Sequence, residues 1–597
     1  MHYQAPIKDQ LFVMRHLAGI DALAALPGFE DAGSETAQAV LEECARYAQD
    51  VAAPLNRDGD RQPARLVDGR VTTTPGWSAA FRQYVDGGWQ GLPHPPAVGG
   101  QGLPKLLHAA CIEMVNSANL SFALCPLLTD GAIEALLTAG SPQQQATCIP
   151  PLIDGRWTGT MNLTEPQAGS DLAAVRTRAE PQADGSYRLF GTKIFITYGD
   201  HDLADNILHL VLARIAGAPE GVKGLSLFLC PKWRFGPDGA RGERNDVQCV
   251  SLEHKLGIQA SPTAVLQYGD QGGAWAERIG EPGRGLEYMF IMMNAARYAV
   301  GVQGIALAER AYQQAVRYAR DRVQGRPVDG SVRHGVPIIR HPDVQRLLLT
   351  MRAQTESHRA MAFVAAAAHD QAVAHPEAAV RASAQARYEL LVPILKGSAT
   401  EMSQWVASQA VQVHGGMGFI EETGVAQHYR DAKILSIYEG TTAIQANDLI
   451  GRKMVRDGGA AALSLADDVR LTEQALAGRA DSADAQAVLR PLRTAREAWQ
   501  QAVAHVLAQA AGAPAAVHAG SVPCLLLGGL LVGGWQMARA LLAAEDRLAA
   551  GEDPTFMRAK IATARCHADQ LLSQAPALLT AIVDGPAAIA AMPEDAY

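Results

Sequence analysis

Cysteine is scarce in this 597-residue sequence, and what there is does not cluster. The eight cysteines, at 44, 111, 125, 148, 230, 249, 524 and 566, include no C-x-x-C pair. That spacing excludes a disulfide framework or a zinc ribbon and suits a reducing cytosol. The 17 histidines are dispersed, with no H-E-x-x-H. His254 in "LEHKLG" and His414 in "QVHGGMGF" read as structural, and no metal site is expected. The motifs G-x-G-x-x-G, G-x-x-x-x-G-K-[ST] and G-x-S-x-G are all missing, which removes the main support for nicotinamide binding, a P-loop and a hydrolase nucleophile elbow. Basic residues are not in excess: 52 Lys plus Arg against 61 Asp plus Glu leave a net charge of −9. Such a chain has no electrostatic footprint for nucleic acid or an anionic membrane. The first twenty residues, "MHYQAPIKDQLFVMRHLAGI", lack the apolar core of a secretory signal, so a cytoplasmic location is expected.

Long apolar runs are equally rare. "VPCLLLGGLLVGGWQMA", from Val522, is slightly short for a membrane span and is followed by Arg539. Gly529 and Gly533 lie four apart, which would let another helix approach closely. A buried bundle helix is expected here, without stable membrane insertion.

What is present is a globular composition, 48% apolar and 19% charged, on a chain too long for one core. The hydrophobic period changes along it. Up to residue 157 it is helical, as in "SETAQAVLEECARYAQDVAAPLN", with a Gly/Pro-rich loop, "GGWQGLPHPPAVGGQGLP". From 158 to 284 short β-like runs dominate. "GSYRLFGTKIFITYG" alternates across a turn, and "NILHLVLARI" and "LSLFLCPKW" alternate apolar with polar residues. From 285 to 456 helical spacing returns and predicts a four-helix bundle. After the linker "RDGGAAALS", residues 457–597 form a further Ala/Leu-rich helical region whose charges nearly balance. The expected fold is α+β and multidomain: an N-terminal α-helical domain, a middle β-domain, a C-terminal four-helix bundle and an extra C-terminal helical domain. Strands and helices do not alternate as in a Rossmann protein.

Three stretches converge on one chemistry: "MNLTEPQAGSDL" from Met161, "GTKIFITYGD" from Gly191, and "IYEGTTAIQ" from Ile437. In order, spacing and context they resemble the acyl-CoA dehydrogenase family. With "EHKLGIQASPT" and the C-terminal extension they resemble its extended bacterial branch, which includes 3-methylmercaptopropionyl-CoA dehydrogenases and long-chain relatives. The resemblance implies FAD-dependent α,β-dehydrogenation of an acyl-CoA to the trans-2-enoyl-CoA. The α-proton of a thioester is weakly acidic and needs a placed base and a polarised carbonyl, and the β-hydride needs an electron sink, which a flavin supplies. Glu439 is the implied base, with Gly440 letting substrate lie against the backbone. The family pattern uses the amide of that glutamate and a flavin hydroxyl to hold the thioester oxygen, as an oxyanion hole does. Some relatives place the base just before an arginine matched here by Arg297; that position is Ala296, which cannot act as a base.

The resemblance further implies flavin-ring contacts at Met161, Leu163, Thr164, Phe195 and Thr197, and a turn near pyrophosphate and substrate at Gly169 and Ser170. It implies a pyrophosphate contact across subunits at Arg322, an adenine-side loop at Gln412 and Gly416, a cofactor contact at Thr441, and a substrate-side helix at Asn294 and Arg297. An electron-transfer flavoprotein as acceptor and a homodimer follow from the same pattern. The sequence departs from it at Gln167, Tyr198, Phe195, His414 and Ala443, and the Arg322–Gly325 spacing is one residue short. Three rival readings stand beside it: a structural four-helix scaffold with no cofactor, an acyl-CoA oxidase that passes electrons to oxygen, and a DNA-associated flavoprotein relative. The DNA-associated reading predicts a basic C-terminal surface, which the charge balance there argues against.

Overall fold

The computed structural model describes residues 3–236 and 238–597. Compactness divides them into two units: residues 46–103 and 118–299 form one, and residues 3–45, 104–117 and 300–597 form the other.

The first unit combines helices such as Leu120–Ala139 and Pro142–Ile153 with twelve strands. A hairpin pairs β1 (Arg65–Val67) with β2 (Arg70–Thr72). The main sheet holds β3 (Trp157–Asn162), β4 (Arg178–Pro181), β5 (Tyr187–Thr197), β6 (Asn206–Ile215), β7 (Leu225–Pro231), β10 (Val247–Leu252), β11 (Thr263–Tyr268) and β12 (Ala274–Ile279), while β8 (Trp233–Phe235) and β9 (Arg241–Arg244) pair with each other. The strand order is β10-β11-β5-β12-β7-β6-β3, with β4 bridging β5 and β6. Most pairs are antiparallel; β3 runs parallel to β6, with Trp157 opposite Asn206 and Asn162 opposite Val211.

Side-chain alternation explains how this sheet is buried on both faces. Leu208, Leu210 and Leu212 of β6, with Leu227 and Leu229 of β7, enter one core, with Ile133 and Leu136 of the Leu120–Ala139 helix and with Met292. The intervening Val211, Ala213, Phe228 and Cys230 enter a second core with Leu189, Leu266 and Tyr268. "NILHLVLARI" is therefore a central strand buried along most of its length, rather than the half-exposed one its polar residues predict. The turn expected within "GSYRLFGTKIFITYG" is also absent: β5 runs straight through Gly191, whose φ is +151° and where a Cβ would come within 2.5 Å of the Thr177 hydroxyl.

The second unit is helical. Helices Gly285–Asp321 (which begins in the first unit), Pro342–Ala374 and Ala378–Val413 are 37, 33 and 36 residues long, followed by the shorter Val425–Leu435 and Thr442–Ile450. The extension adds Ala460–Ala477, Ala483–Gln509, Ser521–Ala549 and Pro554–Cys566, among others. Ser521–Ala549 contains the glycine-rich apolar run, and its glycines meet neighbouring helices. A Cβ at Gly528 would press on Trp499 and Ile394, at Gly529 it would collide with Ser398, at Gly533 it would meet Ser357, and at Gly534 Leu572. Among the described residues, three stretches are long and apolar enough to cross a membrane by length and composition: Leu120–Ala139, Ser521–Ala549 and Pro554–Ala591. The first two already spend their apolar surface on the protein core, with 78% of the window buried, against 17% for the third.

A buried ion network ties distant segments of this unit together. Arg359 pairs with Glu113 at 2.6 Å, Glu309 at 2.7 Å and Asp9 at 2.7 Å, and Lys560 pairs with Asp9 and, at 2.7 Å, with Glu356.

Candidate active site

In the first unit the flavin-ring positions gather where β3 ends. Met161 and Asn162 close the strand, Leu163 is buried and Thr164 half-buried. The Ile194 N–H donates to the Thr164 carbonyl at 3.0 Å, which brings the end of β5 against this segment. Phe195 and Thr197 therefore stand beside Leu163 and Thr164. Phe195 has φ +59° and is 58% exposed, an unusual state for a large aromatic in a strand. An aromatic face left in solvent beside half-buried hydroxyl and backbone groups suits a flat, partly polar ring such as a flavin. Gly169 and Ser170 lie on the exposed loop beyond, and a Cβ on Gly169 would meet nothing within 4 Å.

That loop is held by a buried pair that its motif gave no reason to single out. Lys193 is fully buried and its Nζ donates to Glu165 at 2.9 Å and to the Leu163 carbonyl at 2.8 Å. Glu165 also accepts from the Thr177 hydroxyl at 2.5 Å and from the N–H groups of Arg176 and Thr177. Burial works against the Glu165 charge, yet Lys193 and these donors hold its carboxyl below the usual range. Burial also pulls Lys193 down to about 8, with the Glu165 carboxylate opposing that shift. The departure at Tyr198 has its own logic. Its ring is buried at φ +50° and its hydroxyl donates to the Ser121 carbonyl at 2.8 Å, so it pins the end of β5 to the Leu120–Ala139 helix.

Asn294 is exposed on the Gly285–Asp321 helix, and its side-chain oxygen accepts from the buried Arg297 at 3.5 Å. Ala296 beside it is buried.

The second unit carries the remaining positions in two groups. Arg322, just past the helix end at Asp321, is exposed, as are Gln412 and Gly416. Tyr318 stacks on His414 with ring centroids 4.2 Å apart, so the Arg322 end of one helix and the Gln412 end of another share one region. Burial lowers the pKa of His414, whose Nδ1 lies 2.7 Å from the Ala410 carbonyl. The departure at 414 thus leaves a neutral ring that packs as an aromatic would.

The other group is the turn around Glu439. Glu439 and Gly440 both have positive φ, +55° and +86°. For a glutamate this region costs about 1–2 kcal/mol. Gly440 is required: a Cβ there would lie 2.7 Å from Gln445 Nε2 and 3.2 Å from Ile444 Cγ2. The turn is gripped on all sides. Tyr438 donates to Gln303 at 2.5 Å, and Gln303 in turn donates to Asn116 at 3.0 Å. Burial, and then the neighbouring Glu439 charge, push the Tyr438 hydroxyl well above its ordinary range, so it stays protonated as a tether. Gln445 Nε2 donates to the carbonyls of Glu439 at 3.1 Å and Gly440 at 3.3 Å, and Lys396 Nζ reaches the Gly440 carbonyl at 2.6 Å. Thr441 caps the Thr442–Ile450 helix, its hydroxyl accepting from Ile444 N–H at 3.3 Å, and the Thr442 hydroxyl donates to Glu401 at 2.5 Å. Backbone strain this firmly over-determined is a mark of functional sites. The lone lysine in the apolar run "LLVPILKGSA" was the available signal for Lys396; nothing local marks Glu401 or Gln303.

Comparison with known proteins bears on this arrangement. The model of the acyl-CoA dehydrogenase N-terminal domain matches residues 34–156, the middle-domain model 160–270 and the C-terminal-domain model 283–454; the model described as acetyl-CoA dehydrogenase C-terminal like matches 465–593. The 3-methylmercaptopropionyl-CoA dehydrogenase of Ruegeria pomeroyi is 54% identical over 584 residues, 98% of this chain and 98% of its own length. The broad-specificity linear acyl-CoA dehydrogenase FadE5 of Mycobacterium tuberculosis is 35% identical, covering 96% of each chain. Among solved structures, Caenorhabditis elegans ACDH-11 in complex with C11-CoA superposes with a TM-score of 0.77 at 22% identity, over 96% of this chain and 92% of that one. An acyl-CoA dehydrogenase complexed with FAD from Bacillus anthracis does so at 0.75, also at 22% identity, over 96% and 90%. At such identities the structural likeness speaks for the fold, while the sequence relatives speak for the chemistry. The chain belongs to the acyl-CoA dehydrogenase family, the FAD flavoproteins that dehydrogenate acyl-CoA thioesters.

Proposed function

We propose that this enzyme oxidises 3-methylmercaptopropionyl-CoA and that Glu439 takes the α-proton. The substrate reading is supported by the full-length identity to the Ruegeria pomeroyi enzyme of that name. The base reading is carried by one observation: Glu439 is a carboxylate in a left-handed turn that side chains from several helices hold in place. A base held in this way loses little orientational freedom before the proton moves. FAD, when bound, supplies the acceptor for the β-hydride. Met161, Leu163, Thr164, Phe195 and Thr197 would line its ring, and Gly169 and Ser170 would face its phosphates and the substrate. Asn294, Arg297 and Gly440 would each contact the substrate, and Thr441, two residues past Glu439, the cofactor.

Arg322, Gln412 and Gly416 are exposed in one region of the second unit, which supports their reading as contacts to the cofactor of a neighbouring subunit in a homodimer. Electrons would pass to an electron-transfer flavoprotein in the cytoplasm.

Anaerobic flavin absorbance of the purified protein tests the substrate, using a panel from short straight-chain acyl-CoAs through 3-methylmercaptopropionyl-CoA to long chains. Fastest bleaching by the sulfur-containing thioester is expected. Faster bleaching by a long straight chain would reassign the substrate within the same family. Rapid peroxide formation in air would point to oxygen as the acceptor.

A further inference from the structure

Lys396 sits in the middle of the Ala378–Val413 helix, and its side chain is fully buried. A buried ammonium is costly unless strong acceptors meet it. Its Nζ donates to the Gly440 carbonyl at 2.6 Å, a charge-assisted bond to the residue after the proposed base. Five residues further along the same helix, Glu401 accepts the Thr442 hydroxyl at 2.5 Å. One helix therefore holds the turn at Gly440 and again at Thr442. Gln445 completes the grip from the far side, donating to the carbonyls of both Glu439 and Gly440.

The conformation of Glu439 makes this grip consequential. At φ +55° an L-residue sits outside its preferred basins, and a chain released from its restraints returns to the right-handed or extended region. That return rotates the peptide planes on both sides and swings the direction of the Glu439 Cα–Cβ bond. The carbonyl of Gly440 is the hinge point, because turning it away from Lys396 would leave both groups without that bond.

We propose that Lys396 is a positioning residue for the base: its buried ammonium, fastened to the Gly440 carbonyl, keeps Glu439 in the left-handed conformation from which the carboxylate reaches the α-carbon of the thioester. The proposal rests on the reading of Glu439 as the base. A lysine suits the role better than a neutral amide, because the charge-assisted bond is shorter and stronger.

The test compares holoenzyme carrying Lys396→Met, Lys396→Gln or Glu439→Gln in single-turnover bleaching by the best thioester of the panel, with thioester affinity and melting temperature measured alongside. Lys396→Met is expected to slow bleaching by about 10–100-fold, the scale of a small misplacement of a reacting group, with affinity within about threefold. Lys396→Gln should recover part of the rate. A lysine that only fills space would lower the melting temperature and leave the rate per bound flavin unchanged, and that result overturns the proposal. If Lys396→Met does not accumulate as holoenzyme, Lys396→Gln decides alone: a loss of at least about threefold in rate at unchanged affinity supports the role, and a full rate refutes it. Glu439→Gln separates the two assignments. Normal bleaching there removes the base, whereas loss there with full rates in both Lys396 variants removes only the part given to Lys396.

Discussion

Lys193 and Lys396 are both fully buried, one in the β-sheet unit and one in the helical unit, and they are used differently. Lys193 faces a carboxylate, Glu165, and the pair braces the loop that follows β3. Lys396 reaches a backbone carbonyl and braces the turn that presents Glu439. The first arrangement cancels charge against charge and so secures a fold. The second fastens the Gly440 carbonyl in the turn that carries Glu439, which secures a conformation. Two equally buried ammonium groups can therefore be told apart by what their removal damages, stability in one case and rate in the other.

The largest effect should come at Glu439 itself. Glu439→Gln keeps the size and the backbone but cannot accept the proton, and single-turnover bleaching should fall by about 10²–10⁴-fold with acyl-CoA still binding. Near-normal bleaching would remove Glu439 from the mechanism. Lys193→Met should cost about 3–5 kcal/mol, because it strands a buried carboxylate, and urea unfolding would read this directly. The double variant Lys193→Met/Glu165→Gln, which removes the stranded charge and keeps an acceptor for Thr177 and the Arg176 N–H, should regain part of that loss. If Lys193→Met instead leaves stability intact and only slows bleaching, the contrast between the two lysines collapses. Lys396→Met, with its expected 10–100-fold loss in rate, is the reciprocal arm.

A third set of buried titratable groups is kept neutral, and this sharpens the contrast through pH. Burial is the first cause that drives His201, His428 and His567 down to about 3 and His358 to about 4; the Lys232 charge adds to it at His201 and His358 adds to it at His567. Above about pH 7 these rings are neutral folded and unfolded, so they contribute no pH dependence. Below about 6.5 the unfolded chain takes up protons that the folded one refuses, so stability should fall steadily from pH 6.5 toward pH 4. Urea midpoints at pH 7.5, 6 and 5 check it, and identical midpoints would rule it out. Asp9, lowered to about 2 against the burial that opposes it by Lys560 and then Arg359, loses its contribution only below about pH 4, outside that window. The smallest effect is at Tyr198→Phe, which deletes the bond to the Ser121 carbonyl for about 1 kcal/mol and leaves bleaching near normal.

Local residues marked much of this protein. The switch from helical to β period and back, the three motifs, the acid between a tyrosine and a glycine, and the alanine at the rival base position are all statements about neighbours in sequence. They led to the family and to its layered order of helices, sheet and helices. The buried glycine-rich helix was legible too, because small residues four apart describe one helix face.

Other features depended on residues far apart in the chain. The turn expected within "GSYRLFGTKIFITYG" gives way to one continuous strand because β4, β11 and β12 pair with it on either side of Gly191. β6 is buried on both faces because β7 and β3 flank it and two cores cover it. Glu165 and Lys193 stood in the quoted motifs with no sign of pairing, since 28 residues and a strand crossing separate them. Lys396 and Gly440 are 44 residues apart, and a lysine in an apolar run says only that it is buried at some cost. Sequence thus determined the order of helical and β regions and the family, and it singled out Glu439 as the candidate base, because periodicity and short motifs are local. Only the tertiary structure decided which buried charge meets which partner, because that depends on how distant segments pack.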